Sequence, residues 1–345
     1  MRSIDVSQLN SGMKIAKAIY DDNGRILLNV GTVLTSRYIE KLDSLGIPFV
    51  YIEDEIVGHL EVEDLIHDRI KIQTIKALKQ ITENIRLRAE VDLRQISDMV
   101  NSILDDLRGV PNLVVQLLDI RAGNMYVYNH SVSVCVLSLI TGMSLSLDEL
   151  KIKTLGMGAI LHDIGKSLSE GPEHTLHGFE ILRSNKTLNV TAAHVTYQHH
   201  ERYDGEGYPR QLKGEEIHLY GAIVAAANYY DNLVSNPDPA KRLHPYQALE
   251  VVLAESGRAL HPDVVKAFCK NIAPYPIGST VRLNDGSIGV VISIDQNMPS
   301  RPVVKVVANG HGVLLQEFPD LDLMEAPTLF IVDIINEKER RDIIF

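Results

Sequence analysis

Two segments constrain this chain more than any others: Leu161-His162-Asp163-Ile164-Gly165-Lys166, and His199-His200-Glu201-Arg202-Tyr203-Asp204-Gly205-Glu206-Gly207-Tyr208-Pro209. Both lie in a stretch that otherwise reads as apolar helices, and seven of the 13 histidines fall between His130 and His200. Packing an apolar helix requires neither imidazole nor carboxylate. Both groups are ligands for borderline-to-hard metal ions. The pair of segments therefore points to a metal-centred hydrolase site carried on helices.

Composition sets the outer bounds. A length of 345 residues allows two or three domains. The 45% of hydrophobic and 23% of charged residues are ordinary for a globular chain with a sizeable core. There is no run of 18 apolar residues, so no membrane partner is expected. The opening residues Met1-Arg2-Ser3-Ile4-Asp5 lack a secretory pattern, and a cytoplasmic location is expected. Cys135 and Cys269 are the only cysteines and lie too far apart for a zinc-knuckle spacing. The net charge of −11 argues against a nucleic-acid polymer as partner. It leaves room for a small anion, because a bound metal reverses the local field.

Along the chain four segments separate. Residues 1–60 read as a small α+β unit. Asp21-Asp22-Asn23-Gly24 is a turn between apolar stretches and predicts a hairpin. Thr35 or Ser36 can cap a helix that runs through Leu45 and ends at Gly46, and Pro48–Ile52 reads as a strand. Residues 61–108 form an amphipathic helical connector, with Ile66, Ile70, Leu78, Ile81 and Ile85, then Ile96, Met99, Val100, Ile103 and Leu107, at near-helical spacing. Asp92 is a candidate cap between its two helices. This connector is either a solvated amphipathic link or a dimerising helix pair. Residues 109–272 are mostly helical and hold the dense histidines. Residues 273–345 read as β-rich, with a second hairpin signal at Asn284-Asp285-Gly286 and a charged ending, Glu337-Lys338-Glu339-Arg340-Arg341, expected to be a solvated tail.

Taken singly, the chemical residues keep bland alternatives. His162 to Lys166 also reads as a helix C-terminus, with His and Lys facing the dipole and Gly165 as cap. Adjacent residues on a helix point about 100° apart, so His162 and Asp163 do not chelate one ion side by side. A carboxylate at Asp163 can instead bridge two ions, with His162 on one of them, which suits a two-metal site acting on a phosphoryl group. Lys166 is placed to hold a phosphate oxygen. Of His174 and His177, one is a candidate ligand and the other lies behind it or at the surface. His194 reads as structural, and His59, His67, His218, His244, His261 and His311 as ordinary. The Gly205–Pro209 stretch is first of all a turn, with two glycines that permit positive φ.

The order His130, His162-Asp163-x-Gly-Lys166, His174, His199-His200-Glu201, Gly205-x-Gly-Tyr208-Pro209 resembles the HD-GYP family, a branch of the HD superfamily of metal-dependent phosphohydrolases. Leu212-x-Gly214-x-x-Ile217 and Pro262-x-Val264-Val265 add to the resemblance, which covers roughly residues 120–272. It implies a multidomain, mainly α chain: an all-helical HD-type bundle of about seven helices, flanked by the N-terminal α+β unit and the C-terminal β-rich domain. It implies two divalent metal ions, iron or manganese. The ligands would be His130, His162, Asp163, His174, His199 and His200, with Asn228 in a further ligand position. Lys166, with Asp163, would serve the chemistry at the scissile phosphate. Gly205, Gly207, Tyr208 and Pro209 would shape the pocket with Asp231. The substrate would be a cyclic dinucleotide, chiefly cyclic di-GMP, opened to a linear dinucleotide or GMP in bacterial signalling. A homodimer or protein partner would dock through the connector or the Gly-Tyr-Pro loop.

Four departures stand out. Members of the family carry Asp where Asn228 stands in the run Ala227-Asn228-Tyr229-Tyr230-Asp231-Asn232-Leu233. Tyr126 occupies the place of a Glu associated with a third metal. Asn236-Pro237-Asp238-Pro239-Ala240 replaces a basic stretch, and Lys166 and His174 are closer in sequence than usual. Two readings follow: an active metal-dependent phosphodiesterase, or a degenerate receptor that binds metal or nucleotide without turnover. A metal-dependent hydrolase of another phosphate ester is a third.

Overall fold

The computed structural model describes residues 1–20, 25–47, 49–54, 56–58, 60, 64–87, 92–110, 113–116, 126–236 and 238–344. The expected turn at Asp21–Gly24 and Pro48 lie outside them. The chain forms two compact units, one of Leu65–Leu113 with Met125–Asn271, the other of Met1–Asp64, Val114–Asn124 and Ile272–Phe345. The helical connector thus folds with the histidine-rich segment, and the two ends of the chain fold with each other.

The helical unit begins with α2 (Asp68–Arg86) and α3 (Arg94–Gly109), following α1 (Ser36–Ser44) of the other unit. Their apolar stripes, Ile75, Leu78, Ile81 and Ile85 on α2 and Ile96, Val100, Ile103 and Leu107 on α3, are buried. They pack on each other and against α4 (Tyr126–Ser144) and α5 (Glu149–Ile160). The stripe of the connector is therefore covered within its own unit. Asp92 accepts from the Arg94 backbone at 2.9 Å at the entry to α3.

The remaining helices are α6 (His174–Ser184), α7 (Val190–Gln198), α8 (Leu219–Val234), α9 (Pro245–Ala254) and α10 (Pro262–Cys269). With α4 and α5 they make seven helices after the connector among the described residues. Helix α4 is buried on every side from Asn129 to Gly142, as an all-round apolar sequence requires. Asp148 caps α5, accepting from the Lys151 backbone at 3.0 Å, and Asn189 caps α7 in the same way. His218 and His261 accept from the second residue of α8 and α10 through Nδ1, so these scattered histidines are caps. Among the described residues, no helix is long and apolar enough to cross a membrane.

In the other unit, β1 (Arg2–Asp5) pairs antiparallel with β4 (Phe49–Ile52), and β2 (Ile19–Tyr20) with β3 (Ile26–Leu28). Thr35 accepts from the Tyr38 backbone and caps α1. The C-terminal segment is a five-stranded sheet in the order β8-β7-β6-β5-β9, built from β5 (Thr280–Leu283), β6 (Ile288–Ser293), β7 (Val303–Ala308), β8 (Asp320–Asp322) and β9 (Ile331–Ile334). Val281, Leu283, Val291 and Val304 form its core.

The charged C-terminus is not a solvated tail. It forms helix α11 (Glu337–Ile344), and Glu337 and Arg340 are buried. Arg2 reaches Asp54 at 2.8 Å and also bonds Glu337, while Arg340 reaches Asp54 at 2.5 Å. Each buried charge meets opposite charges from the other end of the chain, which is what allows its burial. Burial raises the Glu337 carboxyl, but Arg2 and Arg341 more than offset it and hold the group below its ordinary value. A depressed carboxyl contributes stability above its unfolded value of 4.5, and that stability is lost as pH falls through the folded value. Glu337→Gln is therefore expected to lower stability at pH 7 and to flatten the loss on acidification below pH 4.5, measured by urea unfolding at the two extremes.

Candidate metal centre

Helix α5 ends at Ile160, and the chain turns at once into a 3-10 segment, Ile164–Ser167. His162 and Asp163 lie in that turn, both buried. The Asp163 carboxylate faces two groups of imidazoles with its two oxygens. Oδ1 lies 3.3 Å from His174 Nε2 and 3.5 Å from His199 Nε2. Oδ2 lies 3.4 Å from His162 Nε2, 3.8 Å from His130 Nε2 and 2.5 Å from Lys166 Nζ.

Two donor clusters result, each with atoms within 4.8 Å of one another: Asp163, His174, His199 and His200, and His130, His162 and Asp163. Asp163 alone is shared. The structure thus brings together all six His and Asp residues expected as ligands, from α4, the turn after α5, α6 and the end of α7.

The imidazoles are held in one orientation. Nδ1 of His162 donates to the Ala159 carbonyl at 2.8 Å, that of His174 to Gly171 at 2.8 Å, and that of His199 to Thr196 at 3.0 Å. A carbonyl only accepts, so these Nδ1 atoms carry the protons and the Nε2 atoms present lone pairs to the cluster. His174 Nε2 and His199 Nε2 are 3.3 Å apart, two lone pairs facing each other. His162 Nε2 and Asp163 Oδ1 are buried without a hydrogen-bond partner. Orphaned donors of this kind, on imidazole and carboxylate, fit a borderline divalent cation.

Electrostatics agree. Burial, with His162 and His174 nearby, lowers His199 to about 4. Burial and the same crowd of imidazoles lower His200 further. Both rings are therefore neutral near pH 7, as a ligand must be. Burial pushes the Asp163 carboxyl upward, yet the group is held below its ordinary value and stays ionised, with the Lys166 ammonium 2.5 Å from Oδ2.

Asp231 is not where the sequence reading put it. It was expected to shape the substrate pocket, yet it is fully buried behind His130. Its Oδ2 accepts from His130 Nδ1 at 2.6 Å and its Oδ1 from Ser235 at 3.2 Å. The pairing fixes the His130 tautomer and turns Nε2 toward Asp163. Burial lowers the His130 pKa, but Asp231 outweighs it and raises the group. Removing such an orienting carboxylate costs about 10–100-fold in metal affinity. That loss is the expected result for Asp231→Ala, measured by competition with a chelator.

Asn228 is buried on α8, and its Oδ1 accepts from Asn232 Nδ2 at 2.9 Å. The Tyr126 ring stacks on His130 at 6.0 Å between centroids, and burial raises its hydroxyl to about 12, keeping it a neutral donor. Lys166 is half-exposed and engages Asp163.

The Gly205–Pro209 loop folds back on the site. Tyr208 donates its backbone N–H to the His200 carbonyl at 3.1 Å, and its ring stacks on His200 at 4.7 Å. At Gly207 a Cβ would come within 2.3 Å of the Arg202 nitrogen, so only glycine permits this fold. Sequence reasoning gave no role to Glu201. Its buried carboxylate accepts from the backbones of Arg210 at 2.8 Å and Leu212 at 3.0 Å, stapling the loop. Nothing beyond its adjacency to His200 signals this in the sequence. His177 and His194 belong to neither cluster.

Residues 127–233 match the family described as HD domain, over the helices that supply this centre. Residues 127–233 thus carry an HD domain, and the relatives support the resemblance to the HD-GYP family. Residues 280–342 match a KOW domain associated with HD domain, which covers the five-stranded sheet. Among relatives, "Cyclic di-GMP phosphodiesterase PA4108" of Pseudomonas aeruginosa is 29% identical over 72% of this chain and 64% of its own. "Cyclic di-GMP phosphodiesterase" of Thermotoga maritima is 32% identical over 57% and 56%. "Cyclic di-GMP phosphodiesterase response regulator RpfG" of Xanthomonas campestris is 28% identical over 59% and 58%. The match spans less than two thirds of the length of each of these three relatives. A solved structure, Bd1817, a HDG"Y"P protein from Bdellovibrio bacteriovorus, superimposes with a TM-score of 0.48 at 16% identity, covering 77% of this chain and 97% of that one.

Proposed function

We propose that this chain is a metal-dependent phosphodiesterase that opens a cyclic dinucleotide, cyclic di-GMP first, to a linear dinucleotide or GMP. The observation that carries the proposal is one buried carboxylate, Asp163, presenting a separate oxygen to each of two imidazole clusters, with its Oδ1 and His162 Nε2 buried without hydrogen-bond partners. The names of the three relatives support the substrate class. His130, His162 and Asp163 would hold one ion, and Asp163, His174, His199 and His200 the other, iron or manganese by donor type. When bound, such ions supply charge for a phosphoryl group and acidify water.

The chain's own groups do the rest. Backbone carbonyls and Asp231 fix the imidazoles before ions or substrate arrive, so no reorganisation is required of them. The half-exposed Lys166 ammonium is placed to hold a phosphoryl oxygen beside Asp163. Tyr208, stacked on His200, forms one wall, and the Glu201 staple fixes the loop that carries it. The test is turnover of a panel of cyclic dinucleotides by protein reconstituted anaerobically with iron and, separately, with manganese. Cleavage of cyclic di-GMP is expected, and metal binding without turnover of any member would overturn the reading.

One observation favours a second reading, a receptor that binds metal or nucleotide without turnover. Asn228 brings no charge where the family has Asp, and its oxygen already accepts from Asn232. The same panel separates the two: the receptor gives saturable binding with the nucleotide recovered intact.

A further inference from the structure

The two oxygens of Asp163 are not equivalent. Oδ1 faces the four-donor cluster, with His174 and His199 as its nearest imidazoles. Oδ2 faces the three-donor cluster of His130 and His162 and is the only anionic donor that cluster contains. That same oxygen carries the Lys166 ammonium at 2.5 Å, closer than either imidazole. A charge-assisted contact of this length, on a carboxylate that is 3% exposed, competes strongly with any other cation for the oxygen.

Lys166 is not locked in place. Its side chain is 36% exposed, so the ammonium has a route to solvent. It leaves Asp163 at little cost only when another anion receives it. A phosphoryl oxygen entering the site is such an anion.

Charge points the same way. Two divalent ions would place four positive charges against one shared carboxylate, with Asp231 set back behind His130 and no charge at Asn228. Among the described residues no further carboxylate joins either cluster, so an entering anion favours the second ion.

From these contacts we propose that Lys166 gates the three-donor pocket: it occupies the Asp163 oxygen that this pocket needs, and an anionic phosphoryl ligand draws it away, so that the second ion and the substrate load together. The four-donor pocket fills first and without an anion. By linkage, whatever factor the anion adds to the affinity of the second ion, the second ion adds to that of the anion. This rests on the two-ion reading of the centre, but its test reads metal binding and not turnover.

The experiment is a manganese(II) titration of the full chain, followed by the EPR signal of free manganese, with and without inorganic phosphate. It is run on the native protein, Lys166→Met and Lys166→Arg. The native protein is expected to take one ion tightly and to bind the second about tenfold or more tightly once phosphate is present, a usual size for coupling between sites. Without phosphate, Lys166→Met is expected to bind its second ion about tenfold more tightly than the native protein. Lys166→Arg, which keeps the cation, is expected to need phosphate as the native chain does. A native protein that binds two ions equally well without phosphate would overturn the gate alone. So would a Lys166→Met protein whose phosphate-free second affinity matches native. No bound manganese in any protein would overturn the metal reading beneath it.

Discussion

Asp163→Asn is expected to fold and to lose turnover by roughly three orders of magnitude or more, together with most of its metal. The substitution keeps shape and removes charge. Asp163 is the only residue common to both donor clusters and the only carboxylate in either. Its replacement leaves five imidazoles and no anionic donor in either cluster to hold divalent cations. An amide offers one oxygen and one N–H₂ group, so one of the two clusters would face a donor where it needs an acceptor. The fold is expected to survive because the surrounding rings are anchored elsewhere: His162 on Ala159, His174 on Gly171, His199 on Thr196 and His130 on Asp231. Metal content by elemental analysis, circular dichroism and turnover of cyclic di-GMP on one preparation decide the matter. Unchanged turnover would remove Asp163 from the chemistry, and an unfolded protein would show its charge to be structural.

The centre was legible in the sequence to the extent that its residues are unusual where they stand. Imidazoles in apolar helices have to be satisfied somewhere, and the His162-Asp163 and His199-His200 doublets mark the places. The helix period does not account for the bridging: His162 and Asp163 lie in the turn after α5, and their donor atoms face one cluster together, 3.4 Å apart. What stayed hidden depends on partners distant in the chain. Asp231 lies 101 residues from His130, and no local pattern distinguishes an orienting carboxylate from one that faces substrate. Glu201 reads as another exposed acid until the loop is seen to return its backbone N–H groups to it.

The C-terminus shows the same limit in the other direction. Glu337–Arg341 is dense in charge and reads as solvated, because burial of those side chains is costly without compensation. The compensation comes from Arg2 and Asp54, nearly the whole chain away. Of the scattered histidines, His59 lies outside the described residues, and the structure gives two others a role: His218 and His261 cap helices. Periodicity predicted the connector helices, but it could not say what covers their stripes. A second copy and the chain's own α4 and α5 are equivalent from the standpoint of spacing.

Gly165→Ala is expected to damage the four-donor cluster from outside it. A Cβ at Gly165 would stand 1.9 Å from the His174 carbonyl oxygen and 2.6 Å from the Gly178 nitrogen. Both are backbone atoms of α6 and neither can swing aside. Ordinary contact begins at 3.4 Å, so the 3-10 segment and α6 would have to separate by about 1.5 Å, the difference between 3.4 and 1.9. His174 sits on the first turn of α6 and its Nε2 is 3.3 Å from both Asp163 and His199. A shift of that size opens the cluster. The expected cost in stability is about 3 kcal/mol, at the upper end for overpacking because the clash is with backbone. Metal bound in the four-donor pocket is expected to fall with it. Gly178→Ala is the milder comparison: its Cβ would meet Thr196 Cβ at 3.2 Å and the Gly165 nitrogen at 3.3 Å, close to the 3.4 Å of ordinary contact. It faces the same pair of elements without forcing them apart. Urea unfolding and metal content on the two variants test the claim. If Gly165→Ala matches Gly178→Ala in both, the close approach of the 3-10 segment to α6 is not what sets His174 in place.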